Sequence, residues 1–451
     1  MIPRVCLDPL YRDQRSAFDC GDKGRSLRVL VDRKTVSGPD VELLLELCRD
    51  EEIDGLSTSA EDGLPQLVIG EVGSDDVAPL PTERGFEGFV WPVSQIRRRA
   101  TAVADETGEP ETVVFASLML SSAAHARRVD ALVTASPTLL RGTTPRDGNA
   151  VTLAEALALV GLYLRSRDRF TLGRIEEEQQ FFGHPVVLGW WMTYLVLTRE
   201  HLPSMWRWFS ACVDSKGDED MSALGHSVFR RVDRALRVRD RLHVECQREP
   251  TDRTNDEALF QLDVLLFTLY GAFDGAARVA HHAYALPRSA RNAGWLRGDW
   301  LGRLSNAEPA LAALAQDGTD GYRLLRMMSV LRNTIHGAPL HPIGTSGYAR
   351  RNLVEIPASE RDEVAELADA LGGSSVWGLR ATKPYLYVEP DVFCERLMPL
   401  ALELLDRILA ATDVERLPNV QSPSLLIGPP DEFPFRAEIR RRLRLLAGVG
   451  S

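Results

Sequence analysis

The sequence predicts an α+β protein, mainly helical, with an N-terminal α/β domain ahead of a long helical region. Three observations carry this. Up to about residue 150, short β-branched or apolar runs recur between Gly, Pro and Asp residues, too short for buried helices. From Val151 onward, apolar residues fall at helical spacing over long stretches. The 451 residues are 44% hydrophobic and 26% charged, which excludes collagen-like, low-complexity and wholly disordered chains. At roughly 100–200 residues per domain, two or three domains are expected.

In the first 150 residues, strands are expected at Arg4–Leu7, Leu27–Val31, Leu67–Ile69, Phe89–Trp91 and Ala131–Thr134. Helices are expected at Val41–Cys48 and Val113–Val129, and Gly142–Gly148 (GTTPRDG) reads as a linker. Thr152 and Glu155 have the spacing of a capping box, which opens a helix running through Leu153, Leu157, Val160 and Leu164. Further helices are expected at His184–Leu197, Met221–His243, Asn255–Tyr284, Gly321–His336, Ser359–Leu371 and Asp391–Ala411. Two strand-like runs, Asn352–Ile356 and Tyr385–Val388, suggest a small hairpin. The expected divisions are 1–150, an α/β domain; 151–250, a helical region; 251–412, a helical bundle; and 413–451, a Pro-rich tail ending in a basic helix, Arg436–Leu446.

Net charge is −11, from 53 basic and 64 acidic residues, so any nucleic-acid contact must be local. The six cysteines are scattered without a CxxC pair, which argues against a zinc ribbon and for reduced thiols. No cofactor is implied: there is no P-loop and no dinucleotide fingerprint. The longest apolar run, Pro185–Thr198, is short for a membrane span, and the N-terminus lacks a signal-like apolar stretch. A cytoplasmic protein without membrane contact is expected.

The segment Leu324–Gly337, LLRMMSVLRNTIHG, carries the chemistry. Leu324, Met327, Met328, Leu331 and Ile335 form an apolar helical face, while Arg332 and His336 lie four apart, one turn from each other. Arg332 is permanently charged and can hold a phosphate in a forked contact. His336 titrates near neutrality and can move a proton to or from a ribose hydroxyl. Asn333 can orient either. Such a set cleaves phosphodiesters without a metal, and RNA brings its own nucleophile, the 2′-hydroxyl. The same residues also suit a helix terminus, with Arg332 paired to an acid and His336 bonded to a terminal carbonyl.

RNTIHG, late on a helix of an all-α domain, resembles the motif of the HEPN superfamily, an Arg followed by Asn, Asp or His and then a His. The long helix Leu259–Tyr284 resembles that family's leading core helix, and Asp391–Ala411 would complete the bundle, so the resemblance spans about residues 251–412. The spacing departs from the family: three residues separate Arg332 and His336, where four to six are usual. The resemblance implies a metal-independent ribonuclease or RNA-binding protein of bacterial antiviral defence or stress response, acting as a homodimer. It assigns catalysis to Arg332, Asn333 and His336. A non-catalytic helical scaffold is the alternative.

Asp263 and Asp274 interrupt the apolar stretch of the long helix and are candidates to hold Arg332. The run Phe229–Leu242 supplies Arg230, Arg231, Arg234, Arg237 and Arg241 as a possible phosphate track, or as a solvated helix face. His281 and His282 point about 100° apart on a helix, which suits structural roles. GHSVF around His226 lacks the last Gly of a nucleophile elbow. Asp8, and Asp130 in VDALVTASPTLL, faintly resemble PIN-type nuclease acids, but Ala135–Ser136 stands where a further acid is expected.

Overall fold

The computed structural model describes residues 2, 16–19, 26–33, 35–48, 53–57, 93–126, 129–141, 149–170, 186–215, 221–334, 339–344, 351–418, 420 and 437–448. The chain is α+β and mainly helical. It divides into two compact units. The first comprises residues 1–167 with 247–249 and 445–451; the second comprises 168–246 and 250–444.

In chain order the first unit holds β1 (Leu27–Val31), α1 (Pro39–Leu47), β2 (Ile53–Ser57), α2 (Val93–Thr107), α3 (Glu111–Ala126), β3 (Ala131–Val133), α4 (Pro137–Leu140), β4 (Ala150–Val151) and α5 (Leu153–Ser166). Its four strands are all parallel, in the order β2-β1-β3-β4. Parallel strands have both faces covered, so LRVLV, apolar but for Arg28, and ALV do not alternate apolar with polar residues. The Thr152–Glu155 capping box forms in full, and α5 is buried from Ala156 to Leu164. Because α5 packs on α1 and β3, the first unit runs to Arg167 rather than ending at 150. A methyl group on Gly161 would lie 2.1 Å from the Leu446 carbonyl oxygen, so only glycine permits that approach. The helix α2, β2 and the short β4 carry weaker patterns and were not expected. The expected strands Arg4–Leu7, Leu67–Ile69 and Phe89–Trp91, Asp8 and the Gly142–Gly148 linker lie outside the described residues.

In this sheet the chain steps outward from β1 to β2, then returns to the other side of β1 for β3. That makes the carboxyl ends of β1 and β3 a topological switch point. A polar set lies there: Asp32 Oδ2 accepts from Thr35 Oγ1 (2.8 Å) and Thr134 Oγ1 (3.0 Å). Asp130 instead accepts from the Arg28 backbone amide (2.9 Å) at the opposite ends of the strands, a structural role.

The second unit holds α6 (Val186–His201), α7 (Met205–Asp214), α8 (Met221–Gln247, all but its last residue), α9 (Asp252–Ala283), α10 (Gly298–Ala307), α11 (Pro309–Ala313), α12 (Asp320–Asn333), β5 (His341–Gly344), β6 (Asn352–Glu355), α13 (Arg361–Ala370), β7 (Leu379–Thr382), β8 (Tyr385–Val388), α14 (Pro390–Ala411) and most of α15 (Ala437–Ala447), whose end from Leu445 belongs to the first unit. Helix α9 is its axis, packing on α12, α14, β5 and β6. It is the one helix among the described residues long and apolar enough to cross a membrane, yet just over half of that stretch is buried against the rest of the protein. In place of a hairpin there is a four-stranded antiparallel sheet, β5-β6-β8-β7. β7 and β8 form the tight pair, and Asn352 Nδ2 donates to Asn255 Oδ1 (2.7 Å) to tie β6 to the start of α9. Pro342 and Gly344 in β5 and Arg380 in β7 weaken their strand signal. The Pro-rich stretch 421–435 lies outside the described residues.

A buried charged set joins α8 to α14. Arg239 Nη2 donates to Glu395 Oε1 (2.7 Å), and His243 Nε2 meets the same oxygen at 2.8 Å. Burial alone would raise the Glu395 carboxyl; Arg239 and then His243 outweigh it and hold the group well below its usual range.

Candidate functional site

Arg332 sits in the last turn of α12, half-buried. Its guanidinium lies 4.0 Å from the centroid of the Tyr270 ring on α9. Its Nε and Nη2 donate to Asn333 Oδ1 at 3.3 and 3.0 Å. Burial raises the Tyr270 hydroxyl, and the side chain of Ser329, one turn before Arg332, opposes the rise. The guanidinium is therefore held on two sides, by a ring from α9 and by the neighbouring Asn333.

Asp274 lies one turn after Tyr270 on α9, so it shares that face. Burial raises its carboxyl, and the charges of Arg332, Arg278, Arg231 and Arg297, in decreasing order, oppose the rise. Four arginines from three helices and a loop thus act on one carboxylate through their charge, none of them as a close ion pair with it among the described residues. Each has a local reason to be there. Arg278 follows Asp274 by one turn. Arg297 precedes α10 in a loop held down by the Trp295 indole, which donates to the Phe273 carbonyl (2.9 Å). Arg231 comes from α8, which crosses α9 over two glycines. A methyl on Gly275 would lie 2.5 Å from Val228 Cγ2, and one on Gly271 would lie 2.2 Å from Arg231 Nη1. The small stripe in YGAFDG lets α8 approach and lays the Arg231 guanidinium along α9.

Asp263 is not part of this set. It is half-buried about three turns before Asp274 on α9, and burial pushes its carboxyl up to about 6. Its Oδ1 has no hydrogen-bond partner among the described residues. His336 lies outside the described residues. The α-helix itself ends at Asn333, three residues before it, with Thr334 as the C-cap.

The α8 arginines divide. Arg230 and Arg234 are exposed and make no close ion pair among the described residues. Arg231 faces Asp274. Arg237 is turned onto the Trp190 ring, 3.2 Å from its centroid, and its Nη2 donates to Asp233 Oδ1 (2.9 Å). Arg241 is exposed beyond them. Three of the five expected track residues therefore share one region, while Arg237 is spent on internal contacts.

Other candidates have structural roles. Ser227 and His226 lie within α8, so no strand–turn–helix elbow forms there. His281 accepts at Nδ1 from the Trp300 indole (3.3 Å), and its Nε2 contacts the Arg288 carbonyl (3.1 Å), a core arrangement. Among the described residues no cluster of His, Cys, Asp or Glu has metal-binding geometry. Tyr270, Ser329, Arg278 and Arg297 were not singled out from sequence. Tyr270 had a legible signal, a one-turn spacing from Asp274, and Arg297 had none.

Compared with known proteins, the chain matches no family model, no curated protein and no solved structure.

Proposed function

We propose that the second unit acts on RNA as a HEPN-like, metal-independent ribonuclease. The observation that carries this reading is the half-buried Arg332 guanidinium, backed by Tyr270 and Asn333, with Arg231, Arg278 and Arg297 close enough to act with it on the Asp274 carboxyl. Such a cluster suits a phosphodiester: a permanent cation of fixed orientation meets the phosphate, and neighbouring arginines attract the chain.

In the proposed reaction His336 takes the proton of a ribose 2′-hydroxyl. The 2′-oxygen bonds to phosphorus, the bond from phosphorus to the 5′-oxygen breaks, and the departing oxygen takes a proton from water or from the His336 of a second copy. The products are a 2′,3′-cyclic phosphate and a 5′-hydroxyl. Arg332 holds the phosphate and Asn333 holds Arg332. Action as a homodimer in the bacterial cytoplasm, in antiviral defence or stress response, rests on the family resemblance alone.

A second reading has its own support. Tyr270 and Asn333 already occupy Arg332, as expected of a binding platform that does not cut. Incubation of the full chain with total cellular RNA in excess EDTA separates the two. Cleavage by wild type and none by a folded Arg332→Ala/His336→Ala variant is expected. Equal cleavage by both, or none by either, removes the ribonuclease reading.

A further inference from the structure

One surface outside the Arg332 site has the composition of a ligand site. Between α6, α7 and α8 lies a depression of about 490 Å³ walled by Trp191, Trp206, Phe209 and Phe229. Trp191 is 47% exposed, which is costly for so large an apolar group unless something covers it. The rings are grouped: Phe229 lies 6.0 Å from Trp206 and 5.7 Å from Phe209, centroid to centroid. A second depression of about 560 Å³ lies alongside, with Ser227, Arg231 and Phe267 in its lining. The two share one ridge, His226, Arg230 and Arg234. These are successive residues at four-residue spacing, so they run as a line along α8.

The chemistry of the ridge selects the occupant. Aromatic walls alone would suit a methylated ammonium group, but the Asp233 carboxylate in the lining is paired with Arg237, and Arg230 and Arg234 at the rim repel a cation. Planar aromatic faces beside arginines suit a planar ring that carries a phosphate. A base inside a duplex has both faces covered, so a depression of this size admits one only when it is unpaired. We propose that this depression is a stacking subsite for one unpaired base of a single-stranded RNA. Its phosphates lie on Arg230 and Arg234, and the strand continues over Phe267 towards Arg231 and Arg332. This rests on the RNA reading above and names its substrate as single-stranded.

The test is fluorescence anisotropy of the full chain with a 5′-labelled single strand of mixed sequence, 2′-O-methylated so that it cannot be cut. The same strand annealed to its complement is the control. Wild type should prefer the single strand. Trp191→Ala, with its circular dichroism unchanged, should weaken single-strand binding about tenfold with little change in salt dependence, and Trp191→Phe should restore it. Arg234→Ala should lower the salt slope by about one. Unchanged affinity in Trp191→Ala beside weakened binding in Arg234→Ala overturns the subsite and leaves the RNA reading standing. So does a duplex bound as tightly as the single strand. A wild-type protein that binds neither strand overturns both.

Discussion

The Arg332 guanidinium lies 4.0 Å from the centroid of the Tyr270 ring, joining the end of α12 to the middle of α9. The pairing orients a cation that would otherwise sweep a wide arc. It leaves the arginine half-buried, with one side on the ring and its Nε and Nη2 on Asn333.

If that orientation matters for cleavage, the ring is the part that counts. Tyr270→Phe keeps the face and should retain most of the rate. Tyr270→Ala removes it and should cost about tenfold, in line with a partly buried cation–π contact. Single-turnover cleavage of one defined RNA measures both, and equal rates in the two variants would remove Tyr270 from the site.

Gly271→Ala is a probe of Arg231. The added methyl would meet only the far end of a flexible side chain, at 2.2 Å from Nη1. The helix gains about 0.5–1 kcal/mol from the loss of a glycine, so thermal stability should hold or rise. RNA affinity should fall, because the displaced guanidinium leaves α9. A parallel loss of both properties would show that the glycine serves packing alone.

The Arg239–Glu395 pair should be essential to the fold. Its side chains are 9% and 10% exposed. Glu395→Ala leaves a buried guanidinium and should cost about 3–5 kcal/mol in denaturant unfolding. Since the folded carboxyl titrates below its ordinary value, its stabilisation is present above about pH 4.5 and is lost as pH falls through the folded value. Wild type should therefore lose stability in acid more steeply than the double variant Arg239→Met/Glu395→Leu, which lacks this pair.

Asp263 has the opposite sign. Its carboxyl is raised to about 6, so the folded state holds the proton more tightly than the unfolded chain. Stability should fall as pH rises from about 4 to 6 and then level off. Asp263→Asn should add about 1 kcal/mol at pH 7, well short of the full shift because water screens a half-exposed group. The gain should vanish below pH 4, and a constant gain across that range would contradict the assignment.

Local patterns sufficed for much of this molecule. The five residues of β1, the capping box of α5, and the long helices α8, α9 and α14 follow from apolar spacing and capping residues that act within a turn or two. The pairing of Asp274 with Arg332 was one of two alternatives in the sequence, since both acids interrupt the same apolar helix. Tertiary structure decided between them. The register of α9 against α12 brings Asp274 within the field of Arg332 and leaves Asp263 about three turns earlier on α9. The same holds for the α8 arginines, which look equivalent at helical spacing. Arg231 faces Asp274 because Gly271 lets α8 close on α9, while Arg237 is drawn onto Trp190. Spacing along the chain sets which residues share a face. Which face meets which partner depends on packing between segments far apart in sequence.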